Sequence, residues 1–235
     1  MGKIGGIATQ FWPPRPGFTE VNISRASQAG KVFMVTGGNS GLGCEEVTEK
    51  AFKSIKDSNP ETSGTGQLKF IHLDLVGLAS VRTAAHQSRR RREARYSLEQ
   101  WRNRGQRFPV RRPYGARSGD PHGIHCVGAL LFTELLMPQL KAAPVRGTPS
   151  RVAWLTTILV DTSAPKNGVE FPSVDTGFGA RMENYAASKA GVWVLCREFA
   201  KRHKVDGIIS VALNPGSLET GSFRGTPRIT MFLMR

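Results

Sequence analysis

The run Thr36-Gly37-Gly38-Asn39-Ser40-Gly41-Leu42-Gly43 most constrains what this chain can become. It follows directly on Lys31 to Thr36 (KVFMVT), a short apolar run rich in β-branched residues that reads as a buried parallel strand. After it, Val47, Ala51, Phe52 and Ile55 recur at helical spacing. Glycines let the backbone turn tightly and approach a pyrophosphate closely. The helix behind them offers N–H groups and the positive end of its dipole. A glycine-rich turn alone is weak evidence. Set between a strand and a helix, it is the opening of a dinucleotide-binding unit.

The rest of the chain continues that pattern. Leu68 to Leu75 (LKFIHLDL) reads as a second strand, and Leu78 to Ala85 as the start of a helix. Val127 to Leu140 is a strongly apolar helix, and Ser150 to Leu159 a third strand. A loop over 161–182 leads to an amphipathic helix over Glu183 to His203. Gly207 to Leu213 is a fourth strand ending in Asn214-Pro215-Gly216. Strands alternating with helices predict an α/β fold with a parallel sheet covered on both faces.

The helix at 183–203 carries Tyr185-Ala186-Ala187-Ser188-Lys189, a YxxxK pattern. The i,i+4 spacing puts both side chains on one helix face. A nearby ammonium favours phenolate and draws the tyrosine pKa down, so the tyrosine can exchange a proton with a substrate oxygen. By itself the pattern is common, and a surface Tyr and Lys on an amphipathic helix would produce it too.

Taken together, the ordered motifs resemble the short-chain dehydrogenase/reductase family. The runs Asn184-Tyr185-Ala186-Ala187-Ser188-Lys189-Ala190-Gly191 and Leu213-Asn214-Pro215-Gly216-Ser217-Leu218-Glu219-Thr220 match its YxASKAG and NPGxxxT signatures. With the Trp12-Pro13-Pro14 arm they resemble the retinol-dehydrogenase-like subset common in filamentous fungi. The resemblance implies a Rossmann-type doubly wound parallel sheet and hydride transfer between NADP or NAD and an alcohol or ketone, in fungal secondary metabolism. It places Thr36, Gly37, Asn39, Ser40, Gly41, Leu42 and Gly43 on the cofactor's diphosphate and ribose, and Asp74 on its adenine. Tyr185 becomes the proton donor. Lys189 holds the nicotinamide ribose and tunes Tyr185. Pro215, Gly216, Leu218 and Thr220 lie at the nicotinamide end. Thr157 stands where the family has a catalytic serine; its hydroxyl can bond a substrate oxygen, but its methyl crowds the site. The partner expected is a small molecule, with no metal, membrane or nucleic acid. A homodimer would pair through the helices at 127–140 and 184–203.

The sequence departs from the family in three places. The second strand and its cofactor-selecting residue are absent between Gly43 and the strand at 68–75, so NAD and NADP are not distinguished. That strand is then expected to lie beside the first, with Asp74 serving the adenosine ribose. Residues 82–117 replace the family's next strand and its asparagine motif with 12 Arg, no Lys and only Glu93 and Glu99 as acids. The stretch looks like translation in a shifted reading frame and is expected to remove a central strand. Finally, the family continues well past Thr220, while Phe223 to Arg235 matches nothing in it. A sheet with strands missing leaves edges and apolar faces uncovered, which predicts weak or no turnover.

Composition supports this organisation. The 235 residues, 39% of them hydrophobic, suit one α/β domain or at most two small ones. The expected layout is an arm over 1–30, one dinucleotide-binding and catalytic domain over 31–222 with an atypical Arg-rich stretch over 82–125, and a tail over 223–235. Cys44, Cys126 and Cys196 are too few and too scattered for a disulfide framework or zinc site. No apolar run is long enough to span a membrane, residues 1–10 do not read as a signal peptide, and a cytoplasmic location is expected. The net charge of +15 is concentrated in the Arg-rich stretch. Two other readings remain at this level: a non-catalytic relative that keeps nucleotide binding, and a binder of nucleic acid or acidic surfaces through the Arg-rich stretch.

Overall fold

In the computed structural model, the described residues are 31–36, 69–89, 96–99, 121–143, 149–176 and 180–216, together with the isolated positions 14, 15, 17, 53 and 57. Their strands form one sheet in the order of the chain, with every neighbouring pair parallel. Strand β1 (Phe33–Thr36) pairs with β2 (Tyr96–Glu99), β2 with β3 (Ser150–Leu155), and β3 with β4 (Ile208–Leu213). Register aligns Val35 with Leu98, Ala153 and Val211, so one strand end is shared by Thr36, Leu155 and Leu213. In sheets of this kind ligands gather outside the carboxyl ends of the strands.

Seven helical segments lie among the described residues. They are α1 (Leu78–Arg89), a π-helical turn (Gly123–Gly128), α2 (Ala129–Leu135), α3 (Met137–Ala142), the short α4 (Leu159–Thr162) and α5 (Phe171–Thr176), and the long α6 (Arg181–Arg202). The core draws Val81, Ala84 and Ala85 from α1, Phe132 and Leu136 from the α2 region, and Val192, Cys196 and Phe199 from α6. These close over Val152, Trp154 and Ile208 of the sheet. Trp154 is fully buried, meets Phe199 edge-on at 5.8 Å, and donates its Nε1–H to Ser210 Oγ at 2.9 Å. On the opposite face Phe33, Val35, Ile209 and Val211 are exposed.

Several sequence expectations are corrected here. Residues 69–74 form no strand, and among the described residues the strand that hydrogen-bonds to β1 is β2. The alternating apolar residues of the 69–75 segment are still used: Ile71 and Leu73 pack against the core without a backbone ladder, and Leu75 is buried in it. Asp74 ends the segment with a turn, accepting the Val76 N–H at its Oδ1 (3.0 Å) and donating its own N–H to Ser80 Oγ (3.0 Å). The Arg-rich stretch was expected to remove a central strand. Instead it supplies both the last turns of α1 and the whole of β2, between β1 and β3. A ladder needs only backbone N–H and C=O groups, which any non-proline residue brings. The helix expected over 127–140 is three pieces. Pro138, which lacks an N–H, falls at the start of α3, and Leu136 takes the break with φ −91 and ψ 1. The loop expected over 161–182 holds α4 and α5 and gives way to α6 at Arg181.

Candidate active site

Tyr185 and Lys189 sit on the first turns of α6, and the helix buries the Ala186–Ala190 stretch against the sheet. Lys189 is only 5% exposed. A buried ammonium needs acceptors, and Lys189 Nζ donates to the Leu155 carbonyl, the last of β3, at 2.9 Å. Thr156 Oγ1 donates to the Lys189 carbonyl at 3.2 Å, a second tie between the strand end and the helix. Lys189 Nζ lies 5.8 Å from the centre of the Tyr185 ring, so the spacing of the two residues does place cation and phenol side by side.

Lys189 forms one wall of a small cleft at the ends of β1 and β3. Thr36 and Leu155 bring the strand ends to it. Leu75, Ile124, His125, Ala129 and Val192 complete the lining. The walls are mostly apolar, with Thr36, His125 and Lys189 as the polar groups. Thr36 is buried, and it is the residue from which the glycine run departs.

Sequence reasoning missed His125. It lies in the π-helical turn, 4% exposed, with Nδ1 2.8 Å from Ser188 Oγ and its ring edge-to-face with Tyr185 at 5.6 Å. Burial, then the Lys189 charge, then His122, hold its pKa well below the usual histidine value, so the ring is neutral. The only signal in the sequence was a histidine next to an apolar helix, which reads as an ordinary packed residue. Two glycines make this packing possible. A Cβ on Gly128 would meet Leu75 O at 2.5 Å, and one on Gly191 would meet Cys126 Sγ at 2.8 Å. The turn thus approaches both the 69–77 segment and α6 more closely than larger residues allow.

The other expected site residues fall as follows. Thr157 lies two positions past Leu155, half-buried, and its Oγ1 accepts the Leu159 N–H at 3.4 Å at the head of α4. Asp74 is exposed, one residue before the cleft-lining Leu75. Pro215 and Gly216 are exposed just beyond β4. Gly216 has φ 78, and its N–H reaches Asn214 Oδ1 at 3.3 Å. Gly37, Asn39, Ser40, Gly41, Leu42, Gly43, Leu218 and Thr220 lie outside the described residues. Among the described residues no group of His, Cys, Asp and Glu could hold a metal ion, and no helix is long and apolar enough to cross a membrane.

No protein-family model matches the chain. Individual proteins do. A short-chain dehydrogenase/reductase of Pestalotiopsis fici is 37% identical over 94% of this chain and 74% of its own length. One of Phomopsis amygdali is 31% identical over 90% and 69%. Among solved structures, a short chain dehydrogenase of Salmonella enterica covers 84% of this chain and 81% of its own, with a TM-score of 0.57 at 15% identity. The NADP active-site complex of Pseudomonas aeruginosa RhlG gives a TM-score of 0.55 at 18% identity, over 85% of this chain and 76% of that one. These structures share the Rossmann-type α/β fold seen here. With relatives this similar over most of both chains, the protein belongs to the short-chain dehydrogenase/reductase family.

Proposed function

We propose that this chain is an NAD(P)-dependent oxidoreductase moving a hydride between a nicotinamide cofactor and an alcohol or ketone. The observation that carries the reading is buried Lys189, which stands beside Tyr185 and lines a cleft at the end of β1. The donor set suits a nicotinamide nucleoside: apolar walls for a ring, and an ammonium for ribose hydroxyls. Thr36, Gly37, Asn39, Ser40, Gly41, Leu42 and Gly43 would hold the diphosphate and ribose. Asp74 would meet the adenine, Lys189 the nicotinamide ribose, and Pro215, Gly216, Leu218 and Thr220 the nicotinamide end. When bound, the nicotinamide supplies the hydride donor or acceptor.

The chain's own residues handle the proton. Tyr185 Oη gives a proton to the substrate oxygen in reduction and takes one in oxidation. The ammonium of Lys189 favours the phenolate that this exchange requires. Thr157 Oγ1 accepts from Leu159 and still has its own proton to donate to the substrate oxygen. The apolar walls favour a lipophilic substrate, and a role in fungal secondary metabolism is what the resemblance of the sequence motifs to the fungal subset of the family implies. Weak turnover was expected from a lost central strand, but β2 occupies that place, so this ground falls away. The absent second strand, the absent asparagine motif and the crowding methyl of Thr157 remain as grounds for weak turnover.

Titration with NADH and NADPH, followed by nicotinamide fluorescence, tests the proposal. Saturable binding that disappears in Gly41→Asp is expected. Alcohol or ketone turnover should be lost in Tyr185→Phe while binding is kept. Absence of binding to both nucleotides by folded protein would refute the reading.

A further inference from the structure

The π-helical turn is stitched to α6 at one residue. His125 and Cys126 are adjacent in sequence, yet both reach Ser188: Nδ1 of His125 lies 2.8 Å from Ser188 Oγ, and Cys126 Sγ donates to the Ser188 carbonyl at 3.3 Å. Neighbours on an α-helix diverge by about 100° and do not share a target in this way. The wider π geometry, a feature that recurs at functional sites, brings them together.

The bonding also fixes the proton on the ring. The Ser188 hydroxyl has one proton and donates it to the Tyr185 carbonyl at 2.7 Å. At the 2.8 Å contact Ser188 Oγ is therefore the acceptor and His125 Nδ1–H the donor. A neutral ring protonated at Nδ1 carries its lone pair on Nε2. The resulting chain runs from His125 through Ser188 to the backbone of Tyr185, while the imidazole meets the Tyr185 ring at 5.6 Å and 84°. On its other connection Tyr185 faces Lys189, itself anchored on Leu155. Among the described residues, the titratable groups around the imidazole are Lys189 and Tyr185 from α6, Cys126 from its own turn and His122 just before that turn. A neutral ring adds no second positive charge beside Lys189.

We propose that His125, as the Nδ1–H tautomer, is a positioning residue that holds the Tyr185 ring in register with the Lys189 ammonium. This rests on the reading of Tyr185 and Lys189 as the proton-transfer pair. The role goes beyond packing: the donor at Nδ1, rather than the bulk of the ring, does the holding. Asparagine can present an amide N–H near the same place, whereas phenylalanine keeps the ring and loses the donor.

The test is NMR on the full chain, with ¹⁵N-labelled histidine and ¹³C-labelled tyrosine, and Tyr185→Phe identifying the signal. His125 should show the neutral Nδ1–H pattern at pH 7. The Tyr185 phenol should titrate about one pH unit higher in His125→Phe than in the wild type, and near the wild-type value in His125→Asn. A neutral Nε2–H tautomer, or an unchanged Tyr185 titration in folded His125→Phe, would overturn the proposal. Should His125→Phe not fold, Ser188→Ala removes the acceptor instead. The same rise is expected there, and no rise is again a refutation. Nucleotide binding by the wild type is measured alongside. Its absence, with the tautomer and the shifts as expected, would support the positioning role and overturn only the catalytic reading.

Discussion

Replacing Gly128 with alanine tests the close packing on which the cleft depends. Gly128 has helical backbone angles, φ −63 and ψ −43, so on an open helix alanine would gain about 1 kcal/mol over glycine. Here the new Cβ would stand 2.5 Å from the Leu75 carbonyl oxygen and 3.2 Å from its Cβ. Carbon and oxygen normally approach to about 3.3 Å, so the turn or the 69–77 segment must retreat by roughly 0.8 Å. The obstructing atom is backbone in a residue buried in the core, and it cannot swing aside as a side-chain tip can. Overpacking of this kind costs about 1–3 kcal/mol, which outweighs the helix gain and leaves a net loss of about 1–2 kcal/mol. In urea unfolding, with a slope near 2 kcal/mol/M, the midpoint should fall by about 0.5–1 M at unchanged slope. Because Leu75, Ile124, His125 and Ala129 line the cleft on either side of this contact, nucleotide affinity should fall as well. Gly191→Ala is the control. Its Cβ would crowd Cys126 Sγ, at 2.8 Å, with His122 and Val169 at an ordinary 3.9 Å, within an otherwise favourable helix interior, and the combination with Cys126→Ala should restore or exceed wild-type stability. A Gly128→Ala protein as stable as the wild type would refute the close approach of turn and segment.

Three further outcomes follow from the same geometry. Tyr185→Phe should lower kcat by about 10²–10⁴-fold with little change in nucleotide affinity, read by steady-state kinetics beside fluorescence titration; comparable turnover would exclude Tyr185 as the proton donor. His125 is held neutral by burial and by Lys189, whereas in the unfolded chain it takes up a proton near pH 6.5. Below that pH the unfolded state binds more protons, so stability should fall with acid by about 1.4 kcal/mol per pH unit until the folded-state value is reached, with no contribution above about pH 7. Urea midpoints from pH 7 to 5 should therefore drop more steeply for the wild type than for His125→Asn, and parallel curves would contradict the burial argument. Trp154→Phe removes the Nε1–H that reaches Ser210 Oγ, and should cost about 1–2 kcal/mol in thermal or urea unfolding while leaving nucleotide binding intact.

What could be read without the structure was local. The β-branched run before the glycines, the apolar spacing of α6 and the short runs of β3 and β4 each declare their conformation within a few residues, and the structure keeps them within one to four residues at their ends. The YxxxK spacing alone was enough to put Tyr185 and Lys189 on one helix face. The pairing of strands was not legible. Leu68 to Leu75 has the pattern of a strand but no ladder in 69–74, while four residues inside an Arg-rich stretch take the place between β1 and β3. A strand is completed by partners distant in sequence, and the open edges of β1 and β3 accept whatever backbone the chain brings to them. The same holds for the site. The sequence could name a tyrosine and a lysine, but only the folding of a π-helical turn onto α6 puts His125 against Ser188, 63 positions away, and the end of β3 beneath Lys189. Periodicity is a property of neighbouring residues; a cleft is built from residues that close packing brings together, and that packing exists only once the chain has folded.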